Sequence, residues 1–201
     1  MVIKISKGYG KMDHINSINT NPLTNDFCMK MSLNSHSVCS KCYSLRSCKR
    51  WKSMQIPLDK NGIELSECIL PMSDLPYINA LIFRFSSHGE LINYRHLINL
   101  LKICRKNPKV VFALWSKRLD LIKRMVNKPK NLIIVYSSPI INKVSENILN
   151  DNKNIDKVFT VFSKDYAKKH SITINCEKKC FKCQKCYNLN DKTEYIAEII
   201  K

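Results

Sequence analysis

The stretch Ala80-Leu81-Ile82-Phe83-Arg84-Phe85, then Leu91, Tyr94, Leu97, Ile98, Leu101 and Cys104 at helical spacing, then Lys109-Val110-Val111-Phe112-Ala113-Leu114-Trp115, decides the fold. A short apolar run reads as a buried strand, and apolar residues three and four apart over 91–106 read as one face of a helix. The second apolar run is another strand, and a connection that holds a helix returns it parallel to the first. The alternation continues downstream. Leu119, Ile122, Met125 and Val126 mark a second helix face. Leu132-Ile133-Ile134-Val135-Tyr136 and Val158-Phe159-Thr160-Val161-Phe162 are a third and a fourth strand. Ser171-Ile172-Thr173-Ile174-Asn175 reads as a last short strand running into Cys176. This order predicts an α/β fold: an open parallel sheet or partial (β/α) barrel, covered on at least one face. Four or five such units are too few for a closed eight-stranded barrel, which takes about 250 residues.

Outward from these repeats the pattern loosens. Residues 6–62 carry Gly8, Gly10, many Asn and Ser, and four cysteines, and they read as a loop-rich N-terminal cysteine lobe. The chain of 201 residues reads as a single domain. Its parts are the lobe (1–79), the βα repeats (80–175), and the cysteine cluster with a C-terminal segment (176–201). No stretch approaches the roughly 20 apolar residues of a membrane span. The first residues, Met1-Val2-Ile3-Lys4-Ile5-Ser6-Lys7, lack the apolar core of a secretory signal. The expectation is a cytoplasmic protein with no membrane partner, whose ten cysteines are free for metal or redox chemistry rather than disulfides.

Four of those cysteines, Cys176, Cys180, Cys183 and Cys186, fall within eleven residues with spacing C-x3-C-x2-C-x2-C. Close spacing lets successive thiolates wrap a small inorganic core, as in ferredoxin-type runs, so the favoured cofactor is a 4Fe–4S cluster. Zinc is the alternative, although structural zinc normally joins two separated C-x2-4-C pairs. The interleaved Lys178, Lys179, Lys182 and Lys185 are expected to lower the thiol pKa values, with Glu177 as the one opposing charge. Cys176-x3-Cys180-Phe181-x-Cys183 also resembles the C-x3-C-φ-x-C pattern of radical S-adenosylmethionine enzymes. Cys186 supplies a fourth ligand and no glycine-rich cofactor motif accompanies the run, so S-adenosylmethionine is not favoured. Cys28, Cys39 and Cys42 form a second group, either a separate metal site or ligands shared with the first. Cys48 is placed either with them or as a free thiol on a basic loop. Cys104 and Cys68 are assigned to packing.

The formal net charge is +18, from 34 Lys and Arg against 16 Asp and Glu. Such an excess suits a polyanion, and nucleic acid is a candidate partner through counterion release. Richness in Lys, Asn and Ile can equally come from base composition. Two four-thiolate sites, each adding about −2, would leave roughly +14. Arg46, Lys49, Arg50, Trp51 and Lys52 combine charge with an aromatic, as nucleic acid or an ordinary solvated face would have it.

In parallel sheets ligands gather where strands end, so the candidate pocket takes Arg84, Ser87, His88, Glu90, Trp115 and Lys117. Arg84 inside an apolar strand needs a partner, with Glu90 the nearest in sequence. Trp115 is read as core, with stacking on a base as the functional alternative. His88 is read as solvated before it is read as a ligand or acid–base group, and His14, His36, His96 and His170 have no partner identifiable from sequence.

Taken in order, several segments resemble the motifs of the phage-encoded gene-product-eighty-eight family. They are Gly8-Tyr9-Gly10-Lys11, Cys28 with Cys39-x2-Cys42-Tyr43, Arg84-Phe85-Ser86-Ser87-His88-Gly89-Glu90, Trp115-Ser116-Lys117 and the cluster from Cys176 to Cys186. Glu90 stands where that pattern has aspartate, and Trp115-Ser116 where it has Tyr-Thr. The resemblance implies a phage or prophage origin (hence the host-cell cytoplasm), cysteine-ligated metal and a half-barrel akin to those of radical enzymes, without a known reaction. The resulting reading is an iron–sulfur protein with a redox-linked or structural role in a phage process that contacts nucleic acid. Its rivals are a radical S-adenosylmethionine-like enzyme and a zinc-stabilised nucleic-acid-binding module.

Overall fold

The computed structural model describes residues 3–145, 147–176 and 178–200. Its strands are β1 (Ile5–Ser6), β2 (Ser17–Ile18), β3 (Ile82–Phe85), β4 (Val111–Ser116), β5 (Leu132–Ser137), β6 (Lys157–Phe162) and β7 (Tyr195–Ile199). They form one open sheet in the order β1-β2-β3-β4-β5-β6-β7, with β1 antiparallel to β2 and every other pair parallel. Of the five strands read from the sequence, the first four are present as β3 to β6. β1 and β2 are two residues each, too short for a periodic signal.

The helices are α1 (Asp26–Ser32), α2 (Tyr43–Arg50), α3 (Lys52–Glu67), α4 (Tyr94–Lys106), α5 (Leu119–Ile122), α6 (Ile148–Asp151), α7 (Lys164–Lys169) and α8 (Cys180–Cys183). From β2 to β6 each strand is laid on the same side of its predecessor, so right-handed crossovers put the intervening helices on one face. That face is the main core. Phe83, Phe85, Phe112, Leu114, Leu132, Ile134 and Tyr136 meet Leu65 of α3, Leu97, Leu100, Leu101 and Cys104 of α4, and Leu121 and Ile122 of α5. Phe85 and Phe112 stack at 5.1 Å between ring centroids. Each fully buried Leu or Phe of this set contributes about 1.5–3 kcal/mol.

The alternate residues of the same strands, Ile82, Ala113, Ile133, Val135, Phe159, Val161 and Ile196, face the other way. The helices α3 to α6 pack on the first face and leave this one to other parts of the chain. Chain from both ends covers it instead: Met12 and Ile15 from the N-terminal part, and Cys176, Cys180, Cys186 and Tyr187 from the C-terminal part.

Several expectations change. The lobe is mostly irregular over 7–25, apart from β2 and one 3-10 turn, and over 33–42, but 43–67 is almost wholly helical. The helix read through Val126 ends at Ile122 and gives way to tighter turns, with Asn127 in the left-handed region (φ 55°). Val126 is therefore exposed. Residues 171–175 do not form the last strand. The last strand is β7, which follows the cysteines, and Asn175 docks along its edge. The Asn175 side chain donates to Tyr195 O and accepts from Ala197 N, while the backbone N–H groups of Asn175 and Cys176 both donate to Ala197 O. A side chain thereby closes an edge that would otherwise offer free backbone groups.

Candidate functional site

The C-terminal cysteines are gathered by local geometry. Cys180 and Cys183 sit three residues apart on the single turn of α8, hence on one side of it. Gln184 then adopts a left-handed conformation (φ 53°), which reverses the chain and sends Cys186 inward to 8% exposure beside buried Tyr187. Cys176 enters from the edge of β7, and the Lys11 ammonium donates to its sulfur at 3.2 Å and to its carbonyl at 2.7 Å. The same ammonium pairs with Glu198 at 2.6 Å.

Burial dominates the thiols of Cys176, Cys180 and Cys186. It pushes the Cys186 thiol up to about 12, with the Cys176 sulfur adding to the shift and the Arg84 guanidinium opposing it. Burial also raises Cys176, where Glu198 adds and Lys11 opposes, and Cys180, where Arg84 opposes. The expectation that the interleaved lysines would lower these values is overturned. Lys178, Lys179 and Lys182 are exposed, and desolvation outweighs their distant charges. Glu177, read as the opposing charge, lies outside the described residues.

Cys28, Cys39 and Cys42 lie at a different place, on α1, on a short 3-10 turn (Val38–Lys41) and at the N-cap of α2. Asn25 and Ser37 cap their segments by accepting from Cys28 N and Cys39 N. The turn is tied to the loop after β5 through Val38 N donating to Pro139 O. Burial raises Cys28 strongly, and Glu90, Cys39 and Cys42 add to it. Burial raises Cys39 too, against Lys117 and the Ser37 hydroxyl. Cys28 and Cys39 each feel Glu90, Lys117 and the Cys42 sulfur, so these three cysteines lie together as a group of their own. Among the described residues no set of three or more His, Cys, Asp or Glu side chains stands in position to hold a metal ion. What fits a metal group is the donor chemistry: soft thiols from neighbouring turns, in the main set with no carboxylate among the described donors and a cationic neighbour on one sulfur.

Arg84 stands on the second face of the sheet, near members of both thiol groups' surroundings. Its guanidinium lies 4.3 Å from the Trp115 ring centroid, its Nη1 is 3.0 Å from Met12 Sδ, and it hydrogen-bonds Tyr187. Glu90 is not its partner. That carboxylate accepts from Leu91 N at 2.8 Å, Ser116 Oγ at 2.7 Å and Lys117 N at 2.7 Å, bracing the ends of β3 and β4. Among the described residues, Arg84 Nε and Trp115 Nε1 are buried with no hydrogen-bond partner. Trp115 also packs on Phe159 at 4.7 Å.

His88 is half-buried and held by neighbours rather than freely solvated. It shares a 2.8 Å hydrogen bond with Ser44 and an edge contact with Tyr43, and burial, aided by Arg84, lowers it to about 4. Tyr43 in turn donates to Ser87 O, and Ser87 is gripped by buried Asn19 through its N–H and hydroxyl. Sequence reasoning missed Tyr43, Asn19, Tyr187 and Glu198 as contributors. Tyr43 had a signal in the Cys-Tyr pair, whereas nothing local marks Tyr187 or Glu198, which meet their partners only across the fold.

The remaining residues sort plainly. Cys104 is fully buried, as assigned, and Cys48 is buried within α2 rather than on a loop. Cys68 is exposed rather than packed. His96 is buried with its Nδ1 accepting from Ile92 N, His14 lies against Phe181, and His170 stacks on Tyr166. Arg46, Lys49, Arg50, Trp51 and Lys52 are exposed, with Arg50 over the Trp51 ring. A groove of about 640 Å³ lies away from the expected pocket. It opens beside Cys176 and is lined by Lys11, Asp13, Lys164, Lys179 and Glu198 with an apolar wall that includes Ile174 and Ile200. Among the described residues no helix is long and apolar enough to cross a membrane.

The glycines of two segments explain themselves in this geometry. A Cβ on Gly8 would stand 2.0 Å from Met12 O, and Gly10 takes φ +61°. A Cβ on Gly89 (φ +74°) would stand 2.4 Å from Thr20 O. Comparison with known proteins gives one match. The family model described as Gene product 88 covers residues 11–196. No curated protein and no solved structure matches the chain.

Proposed function

The chain belongs to the phage-encoded Gene product 88 family, and from that premise we propose that it is an iron–sulfur protein with a redox-linked or structural role. Cys176, Cys180, Cys183 and Cys186 would hold a 4Fe–4S cluster, and Cys28, Cys39 and Cys42 would serve a second site. The observation that supports this reading is the packing of Cys176, Cys180 and Cys186 on the second face of the sheet, with Cys183 on the same turn as Cys180 and Lys11 on one sulfur. Burial holds Cys176, Cys180 and Cys186 protonated when empty, so loading releases protons and is favoured by rising pH. When bound, such a cluster exchanges single electrons or braces the fold. The chain's own residues supply the rest. Met12, Tyr187 and Trp115 limit water on the sheet face, and Arg84 brings a cation to that face near Cys180. A location in the host-cell cytoplasm and contact with nucleic acid through the exposed basic surface belong to this proposal.

The test is anaerobic purification with iron, acid-labile sulfide and zinc quantified per chain. Equal iron and sulfide in brown protein, lost when Cys180 and Cys183 are replaced by Ala, supports the reading. Colourless protein holding zinc alone refutes it and leaves the zinc-stabilised nucleic-acid-binding module. A change in the cluster's electron paramagnetic resonance spectrum on adding S-adenosylmethionine would move the assignment to the enzyme class.

A further inference from the structure

The ammonium of Lys11 makes three contacts, and all are on or beside one thiol. It reaches Cys176 Sγ at 3.2 Å, Cys176 O at 2.7 Å and Glu198 Oε1 at 2.6 Å. Lys11 and Cys176 are 165 residues apart in sequence, so the contact is a product of the fold. The turn before Lys11 is built for it. Gly8 is pressed so closely against Met12 O and Ile15 O that any side chain would displace the loop, and Gly10 takes a left-handed conformation. Lys11 is partly buried, with 24% of its side chain exposed, and its carboxylate partner is 21% exposed.

We infer that Lys11 is a positioning residue that sets the reduction potential of the iron held by Cys176, with Glu198 as the opposing charge. The inference rests on the iron–sulfur reading above. Hydrogen bonds to ligand sulfur and local net charge are established controls on cluster potential. An ammonium donating to the sulfur stabilises the electron-richer, reduced form and so raises the potential. The Glu198 carboxylate pulls the other way. Together they hold the potential at a value neither would give alone, at a thiol that lines the 640 Å³ groove.

The experiment is a dithionite titration of anaerobically purified protein followed by electron paramagnetic resonance, after iron and sulfide have been counted per chain. Each reducing equivalent adds one electron to the cluster, and no bond to the protein forms or breaks. Lys11→Met is expected to shift the reduction equilibrium on the order of tenfold toward the oxidised form, the loss of one charge-assisted hydrogen bond. For one electron that is about 59 mV to lower potential. Glu198→Gln is expected to shift it in the opposite direction, and Lys11→Arg to stay near wild type. A purely structural role would not give opposite signs. Potentials that are unchanged, or that move the same way in Lys11→Met and Glu198→Gln, overturn the inference while the counted iron leaves the cluster reading intact. Wild-type protein without iron overturns both. If Lys11→Met does not retain iron, Glu198→Gln decides by itself: an upward shift supports the inference and no shift overturns it.

Discussion

Replacing Glu90 tests how the candidate site is tied to the sheet. Its side chain, 4% exposed, accepts three hydrogen bonds at once. Oε1 takes Leu91 N and Ser116 Oγ, and Oε2 takes Lys117 N. Its backbone carbonyl is meanwhile held by Asn25 Nδ2 at 2.9 Å, the residue that caps the Cys28 helix. Glu90→Ala would strand two backbone N–H groups in a buried corner; the Ser116 hydroxyl can turn elsewhere. Each hydrogen bond to a charged acceptor contributes about 1.5–3 kcal/mol, and partial relaxation argues for the low end, so the loss is about 4 kcal/mol. Glu90→Gln keeps an oxygen at the Oε1 position and sets an amide N–H against Lys117 N–H. One bond of three is lost, at about 2 kcal/mol. For a chain of this length these values correspond to roughly 8–16 °C and 4–8 °C in Tm. The assay is reversible urea unfolding followed by circular dichroism, with the slope checked against wild type so that Cm differences report stability. A Glu90→Ala loss below about 1 kcal/mol, or equal losses for Ala and Gln, would refute the account of Glu90 as a brace between β3 and β4.

Two further outcomes follow from the same geometry. Gly89→Ala meets both a left-handed backbone and Thr20 O at 2.4 Å, so it is expected to cost about 2 kcal/mol or more; a variant that melts with wild type would show that this loop can shift freely. Burial lowers His96 from 6.5 to about 4. The unfolded chain therefore takes up a proton that the folded chain refuses, and stability falls as pH drops from about 6.5 toward 4. The full effect is about 3 kcal/mol, and a His96→Leu variant should show a stability–pH curve flatter by that amount. Parallel curves for the two proteins would count against it.

The strands were legible because each is a compact apolar run. The sheet buries both faces, so hydrophobicity alone marks Ile82–Phe85, Val111–Ser116, Leu132–Ser137 and Lys157–Phe162. β7 was hidden because its sequence carries polar Glu198 near its end, a residue whose side chain is taken up by Lys11 and not by solvent alone. Residues 171–175 looked like a strand because Ile172 and Ile174 alternate with polar neighbours, yet Asn175 uses its side chain where a ladder would use backbone.

By itself the sequence determined the α/β class and the parallel run of the central strands, since these depend on local periodicity. Tertiary structure decided which face each thiol occupies and what surrounds it. A strand order without reversal sends the helices from α3 through α6 to one side, and the other side must be closed by chain drawn from both ends. That closure is what brings Lys11 to Cys176 and Tyr187 to Arg84, contacts for which no spacing along the chain gives any sign. It also decides the state of the thiols. Charge counting along residues 176–186 predicts acidic cysteines, but burial on the sheet face outweighs exposed lysines, because desolvation acts on every buried thiol whereas a solvated charge is screened.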